Sequence, residues 1–424
     1  MNNILSLNNI VKAMGIIICA LAVDFYLFPT SFLGAYGGPN TKVVLAIVGT
    51  VLFLIGIFNE KNNTVPLQLI FATLIAFLFS TINYLSTEIN ATSDYGYSNY
   101  FVSFFTWTFS AYTVAELIRV VHREVNLRLI TSYFLAVCLF QCVIALLIDN
   151  IPMVAYIVDN YLTTGNQFVK EGGRLYGIGA SLDPAGVRFA VTLTMAAFVM
   201  TQDELVYGSS SSMRWFICSF LIISIIGNMI SRTTLIGVVI GLIVIIGSYF
   251  ANDRNGKISL QPMINSFLAI LAISILASIL IYNVSAEARS LFRFGFEGFF
   301  SFFETGVWQT GSTDVLQTMW IWPTDLQGWI IGYGIFEDWY FGTDIGYCRF
   351  VLYSGLCGLT IFAIFFIYQL LSFCKAIPNY RLLFILLLII AFVVWIKVST
   401  DIYYVVALFY WLDEFQSKYK IAAV

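Results

Sequence analysis

Long apolar runs separated by short polar breaks dominate the chain. Runs near membrane-spanning length fall at 13–33, 42–58, 66–85, 101–119, 129–148, 186–201, 214–229, 232–250, 264–283, 346–372 and 380–397, with a shorter one at 402–413. A spanning helix needs about 20 apolar residues. Lipid offers no hydrogen bonds to the backbone, so each segment must satisfy its own, which selects helices. The pattern predicts an all-α polytopic membrane protein with about 12 transmembrane helices in a single domain over 1–424, the spans of 1–149 serving as scaffold. Polar breaks such as Asn59-Glu60-Lys61-Asn62-Asn63 and Asn252-Asp253-Arg254-Asn255-Gly256-Lys257 separate the runs.

Charge sets the expected orientation. With the N-terminus inside, the cytoplasmic segments hold Lys12, Lys61, Arg119, Arg123, Arg128, Arg214, Arg254, Lys257, Lys375, Arg381, Lys418 and Lys420. That bias predicts N-in and C-in. Two long segments then lie outside. Residues 150–185 carry a short interfacial helix over Pro152–Leu162 and a glycine-rich stretch. Residues 284–345 form one large extracytoplasmic loop with Trp308, Trp320, Trp322, Trp329 and Trp339. Loops of such length are usually functional. No internal repeat is evident, which disfavours transporters built from repeated halves.

Composition agrees with a membrane protein. Of 424 residues 59% are hydrophobic and 11% charged, whereas a soluble domain is about a quarter charged. A net charge of −3 argues against a nucleic-acid partner. The first apolar stretch lacks an A-x-A cleavage signature and reads as a retained anchor. All seven cysteines lie in or beside apolar runs and read as small hydrophobes. The single histidine, His122, is expected in a charged loop with Arg119, Arg123 and Arg128. No metal site and no cofactor are expected.

The arginines expected on the outer side carry the chemistry. They are Arg174, Arg188, Arg232, Arg289, Arg293 and Arg349. The positive-inside rule predicts few there, and an arginine at a helix centre costs about 2.5–3.5 kcal/mol. An anionic ligand would account for them. Arg174 and Arg188 frame Gly172-Gly173-Arg174-Leu175-Tyr176-Gly177-Ile178-Gly179-Ala180-Ser181-Leu182-Asp183-Pro184-Ala185-Gly186-Val187-Arg188, where free N–H groups before a helix start favour phosphate. The alternative is a flexible loop with Asp183-Pro184 starting the sixth span and Arg188 reaching the interface. Arg232 sits in Ser231-Arg232-Thr233-Thr234, a tight turn between two spans that would preorganise it; an interfacial anchor is the alternative. Gly237-Val238-Val239-Ile240-Gly241 is a helix-packing signal.

The last motif runs from Gly332-Tyr333-Gly334 through Asp344-Ile345-Gly346-Tyr347-Cys348-Arg349 to Tyr353-Ser354-Gly355-Leu356-Cys357-Gly358. Asp344 at the mouth of the tenth span could accept a proton from a hydroxyl, yet spacing alone favours a helix N-cap. Trp320, Trp322 and Trp339 could stack on sugar faces or form an interfacial belt. Glu297 and Glu304 read as solvated, the alternative being contacts to sugar hydroxyls.

These motifs resemble the bacterial O-antigen polymerase and ligase superfamily over roughly residues 170–370. The Gly/Arg stretch before Asp-Pro, the Ser231-Arg232 turn, the long outer loop, and the Gly-Tyr-Gly and Asp344-x-Gly-Tyr runs carry the likeness. The resemblance implies a metal-independent glycosyltransferase of the bacterial cytoplasmic (inner) membrane that polymerises polyprenyl-diphosphate-linked oligosaccharides on the outer side. Membrane lipid and a chain-length regulator are the implied partners. Arg232 matches the family's turn arginine, and Arg289 or Arg293 the arginine of its large loop. Arg174, Arg188 and Arg349 would add diphosphate contacts, and Asp344 would be the base, with Asp183 and Glu297 in reserve. Ligases carry a histidine where Asp344 stands, which favours the polymerase branch. The alternatives are an O-antigen ligase, or a lipid-linked oligosaccharide flippase or transporter; little charge beyond Asp24, Glu116 and Arg188 falls within the spans.

Overall fold

A computed structural model describes residues 7–31, 38–58, 65–162, 173–255, 261–336 and 339–421. The polar break 59–63, Gly172 and Gly256-Lys257 lie outside the described residues.

The helices in chain order are α1 Leu7–Leu27, α2 Thr41–Phe58, α3 Leu67–Ile89, α4 Tyr100–His122, α5 Leu127–Asn150, α6 Pro152–Ile157, α7 Leu182–Gln202, α8 Glu204–Tyr207, α9 Ser210–Ile230 and α10 Thr234–Asn255. They continue with α11 Gln261–Val284, α12 Ala286–Gly295, α13 Glu297–Thr305, α14 Gly311–Thr318, α15 Leu326–Ile330, α16 Gly346–Ala376, α17 Arg381–Val394, α18 Tyr403–Phe409 and α19 Asp413–Ile421. Among the described residues nine helices are long and apolar enough to cross a membrane, and Thr234–Phe250 and Pro378–Val394 are shorter apolar helices. The protein is a multi-pass, all-helical membrane protein.

Several expected boundaries shift for identifiable reasons. The first span, expected to reach 33, ends at Leu27, because Pro29 pushes the residue before it out of the helical region. Asn252 to Asn255, expected in a polar break, continue α10. His122 closes α4, its ring nitrogen 2.9 Å from the Tyr133 hydroxyl, and is not a loop residue. The run 402–413, expected as a twelfth span, holds only the seven-residue α18, buried throughout. At 1.5 Å per residue a helix of that size spans about 10 Å, far short of a bilayer. The helix expected over 152–162 is present as α6 followed by a π-helical turn, Val158–Leu162.

The chain forms two compact units. The first comprises residues 1–44 and 114–305, the second 45–113 and 306–424. At the heart of the first unit is α7, with 89% of its apolar window buried, against 6% for α11. Helix α10 lies directly on α7. A Cβ placed on Gly237 would come within 2.3 Å of the Ala190 Cα, and one on Gly241 within 2.8 Å of the Phe220 ring. In lipid, helix association relies on such close approach, since apolar surface gains little by leaving lipid for protein. The packing signal is thus a contact of α10 with α7 at Gly237 and with both α9 and α7 at Gly241.

In the second unit α16 breaks at Ser354-Gly355, where Gly355 has φ +65°. Backbone N–H groups of Tyr333 and Gly334 donate to the Leu352 and Tyr353 carbonyls at 2.7 and 2.9 Å. The carbonyls just before the break are therefore satisfied by backbone N–H groups of the 332–334 segment, as apolar surroundings require. A Cβ on Gly355 would sit 2.2 Å from the Ile330 carbonyl, and one on Gly332 2.4 Å from the Tyr353 carbonyl. The Gly-Tyr-Gly and Gly355 motifs are, in this fold, a backbone crossing.

Candidate functional site

The site in the first unit is built on the turn between α9 and α10. Asp183, in the first turn of α7, accepts hydrogen bonds from the Ser231 hydroxyl at 2.9 Å and the Thr233 hydroxyl at 2.6 Å. Gly186 makes this docking feasible, because any side chain there would meet Ser231 and Thr233. Leu182 enters α7 at φ +54°, a region non-glycine residues rarely adopt. Sequence reasoning placed Asp183 as a reserve base. Its observed work is to clamp the turn that presents Arg232.

Arg232 is held on three sides. Its Nε donates to the Phe294 carbonyl at 3.0 Å, its guanidinium lies 4.4 Å from the Phe294 ring centroid, and its terminal nitrogen pairs with Glu297 at 2.6 Å. Burial pulls the Arg232 guanidinium below its usual range; Glu297 opposes this, and the positive charge of Arg174 adds to it. Arg174 approaches the same Phe294 ring, at 5.3 Å. Two guanidinium groups therefore share one aromatic ring, a stabilising arrangement for each.

The large loop reaches this point because Gly295 has no side chain. A Cβ there would press on Met229 at 3.3 Å, and the Gly295 carbonyl accepts from the Asn228 side chain at 2.6 Å. Docking Gly295 on the end of α9 carries Phe294 and Glu297 to Arg232. Neither partnership was legible in the sequence, where Phe294 was one aromatic of many and Glu297 read as solvated. The Arg293-Phe294-Gly295-Phe296-Glu297 run, a glycine between bulky residues, was the available signal.

The 173–181 segment is also pinned. The Gln141 carbonyl accepts from the Ile178 N–H at 2.9 Å, while its NH2 donates to buried Asp24 at 2.8 Å. Gly179, at φ +69°, lies against the Phe28 and Pro29 carbonyls. These glycines approach protein backbone and side chains. Beyond them a cleft of about 510 Å³ opens, lined by Arg174, Tyr176, Asp149, Asn150, Glu287 and Ser290 among others. The Tyr176 hydroxyl is held by Asp159 at 3.0 Å.

The remaining arginines serve elsewhere. Arg188 lies in α7 with its guanidinium 5.7 Å from the Phe28 ring. Arg289 donates to the Tyr282 and Asn283 carbonyls at the end of α11. Arg293 pairs with Glu304 at 2.7 Å and donates to the Tyr282 hydroxyl; these bonds raise its pKa. Glu304, expected to be solvated, is thus exposed but ion-paired. Of the sequence-predicted residues, the first unit gathers Arg174 and Arg232 with Asp183 and Glu297.

In the second unit Arg349 donates to the Phe336 carbonyl at 2.7 Å and covers the Phe336 ring at 3.7 Å. Asp94 accepts from the Phe336 N–H, so Arg349 and Asp94 together fix this loop. Asp344 is exposed. The N-cap of α16 is Ile345, with no side-chain bond, so the capping role expected of Asp344 is not seen; the neighbouring Thr343 hydroxyl instead accepts from the Ile345 N–H at 3.2 Å. Trp320, Trp322 and Trp329 form a run, with ring centroids 5.9 and 5.6 Å apart, the second pair stacked. Trp339 lies in a separate small pocket with Tyr340, Phe341 and Arg349.

Comparison of the chain with family models, curated proteins and solved structures returns no match.

Proposed function

We propose that this protein is a glycosyltransferase that polymerises polyprenyl-diphosphate-linked oligosaccharides at the outer face of a bacterial cytoplasmic membrane, N- and C-termini inside. The observation that supports this best is that Arg174 and Arg232 share the Phe294 ring, Arg232 in a turn clamped by Asp183. Preorganised guanidinium groups stabilise charge that develops on a leaving diphosphate. Arginine does so with a planar fork that matches phosphate oxygens.

In the proposed reaction the acceptor saccharide lies in the cleft beside Arg174, its hydroxyls facing Asp149, Glu287 and Asn150. One hydroxyl oxygen attacks the anomeric carbon of the lipid-linked donor. The bond from that carbon to the phosphate oxygen breaks, and polyprenyl diphosphate departs with the electron pair on that oxygen, its negative charge stabilised by Arg174 and Arg232. The proton passes to a cleft carboxylate, Asp149 or Glu287. The leaving group is acidic and needs no protonation. A histidine of the ligase type has no counterpart here, since His122 is the sole histidine and pairs with Tyr133; the polymerase is therefore preferred over the ligase.

The test is purified protein incubated with a polyprenyl-diphosphate-linked repeat unit and resolved on a gel. A ladder spaced by one repeat unit is expected from wild type and none from Arg232→Ala. A single product on an added lipid acceptor would replace the polymerase by a ligase. A wild-type ladder from Arg232→Ala would remove the site.

A further inference from the structure

The charge count around Phe294 is at odds with an open anion site. Arg174 and Arg232 supply two positive charges, and Asp183 and Glu297 supply two negative ones within the same constellation. With Asp149 and Glu287 in the cleft beside Arg174, the site has no net positive charge and does not attract a diphosphate strongly, so one of the two carboxylates beside Arg232 must yield. The two are not equivalent. A single Asp183 oxygen accepts both turn hydroxyls and builds the turn itself. Glu297 opens α13, directly after the Phe296 residue that separates α12 from α13. Its side chain is 37% exposed, against 18% for Arg232. It is the more accessible partner and the one whose departure leaves the Asp183 clamp intact.

We propose that Glu297 is a carboxylate latch on Arg232, occupying the guanidinium as an internal stand-in for phosphate until the diphosphate of the donor displaces it. This rests on the diphosphate reading above and adds to it the regulation of the same site. The latch explains how an arginine in the turn between α9 and α10 stays neutralised between turnovers, since an unpaired, half-buried guanidinium is costly. It also discriminates: a monoanionic lipid headgroup brings less charge than the diphosphate and competes less well with a carboxylate already in place. Displacement leaves the Phe294 carbonyl and ring contacts to Arg232 in place, so the guanidinium plane is kept while its terminal nitrogen changes partner.

The latch makes an unusual prediction, that removing a binding-site residue tightens binding. Full-length protein in detergent is titrated with farnesyl diphosphate, with inorganic pyrophosphate and farnesyl monophosphate as parallel probes. Glu297→Gln is expected to bind farnesyl diphosphate about fivefold more tightly than wild type, the factor for losing a competing ion pair of about 1 kcal/mol. Arg232→Ala is expected to lose binding. Glu297→Asp keeps the charge but shortens the reach, so it too should bind more tightly, and it carries the test if the glutamine variant does not fold. Wild-type binding that is lost in Arg232→Ala but unchanged or weaker in both Glu297 variants would overturn the latch and leave the anion site standing. No binding by wild type or any variant would overturn the diphosphate reading itself.

Discussion

Gly186 offers a way to move Arg232 without touching it. The residue lies in α7, and a Cβ built there would fall 2.5 Å from the Ser231 Oγ and 2.8 Å from both the Ser231 and Thr233 Cβ atoms. Carbon atoms pack at roughly 3.5–4.0 Å, so Gly186→Ala must push the turn outward by roughly 0.7 Å. The atoms in the way belong to the turn itself, which the Asp183 bonds hold fast. Overpacking of this kind costs about 1–3 kcal/mol. Misplacing a binding group by about 1 Å costs on the order of 10²-fold in rate. The expected result is lower thermal stability together with a fall of about tenfold or more in polymer formation and in diphosphate binding. Gly247→Ala is the control, because a Cβ there meets nothing within 4 Å; it should leave both readouts at or above wild type, as alanine favours helix over glycine. Unfolding of purified protein in detergent and the gel assay measure the two effects. Wild-type stability and activity in Gly186→Ala would show that the turn is not held as described.

Gln141→Leu strands both the Asp24 carboxylate and the Ile178 N–H. With about 1–3 kcal/mol for each buried polar group left unpaired, it should lower stability by several kcal/mol, read by denaturant-induced unfolding in micelles. Gly355→Ala forces a side chain against the Ile330 carbonyl at φ +65° and should prevent accumulation of folded protein, measured by detergent-solubilised yield and size-exclusion profile; normal yield would contradict the backbone crossing. Asp325 accepts from the Gly328 N–H at 2.7 Å and the Tyr333 hydroxyl at 2.9 Å, which hold its carboxyl below the usual range. A depressed folded-state pKa means the contribution is present above the ordinary Asp value near ~3.9 and is lost as pH falls through the lower, folded one. Fluorescence of the Trp322–Trp329 stack should therefore change in acid in wild type, and this change should be absent in Asp325→Asn.

The hydrophobic pattern by itself determined the class of the protein. Apolar runs of spanning length leave the backbone no choice but helix in lipid, and α2, α3, α5 and α9 fall where the periodic runs lie. The Ser231-Arg232 turn was legible for the same reason: two spans separated by so few residues force a tight connection. The run 402–413 shows where such reading stops, since twelve residues, apolar except for Asp413, fit a buried core segment as well as a span, and only packing distinguishes them. The site was legible in its cations and illegible in their partners. An arginine in a short turn between two apolar spans is conspicuous in a sequence, but whether it meets a ring, a carbonyl or a carboxylate depends on residues tens of positions away. Arg289 and Arg293 have the same sequence credentials as Arg232, yet they close on Tyr282 and Glu304 within their own neighbourhood. Arg232 meets Phe294 and Glu297 because Gly295 docks on the end of α9. That contact joins segments more than sixty residues apart, and no local preference encodes it; close packing of the folded chain does.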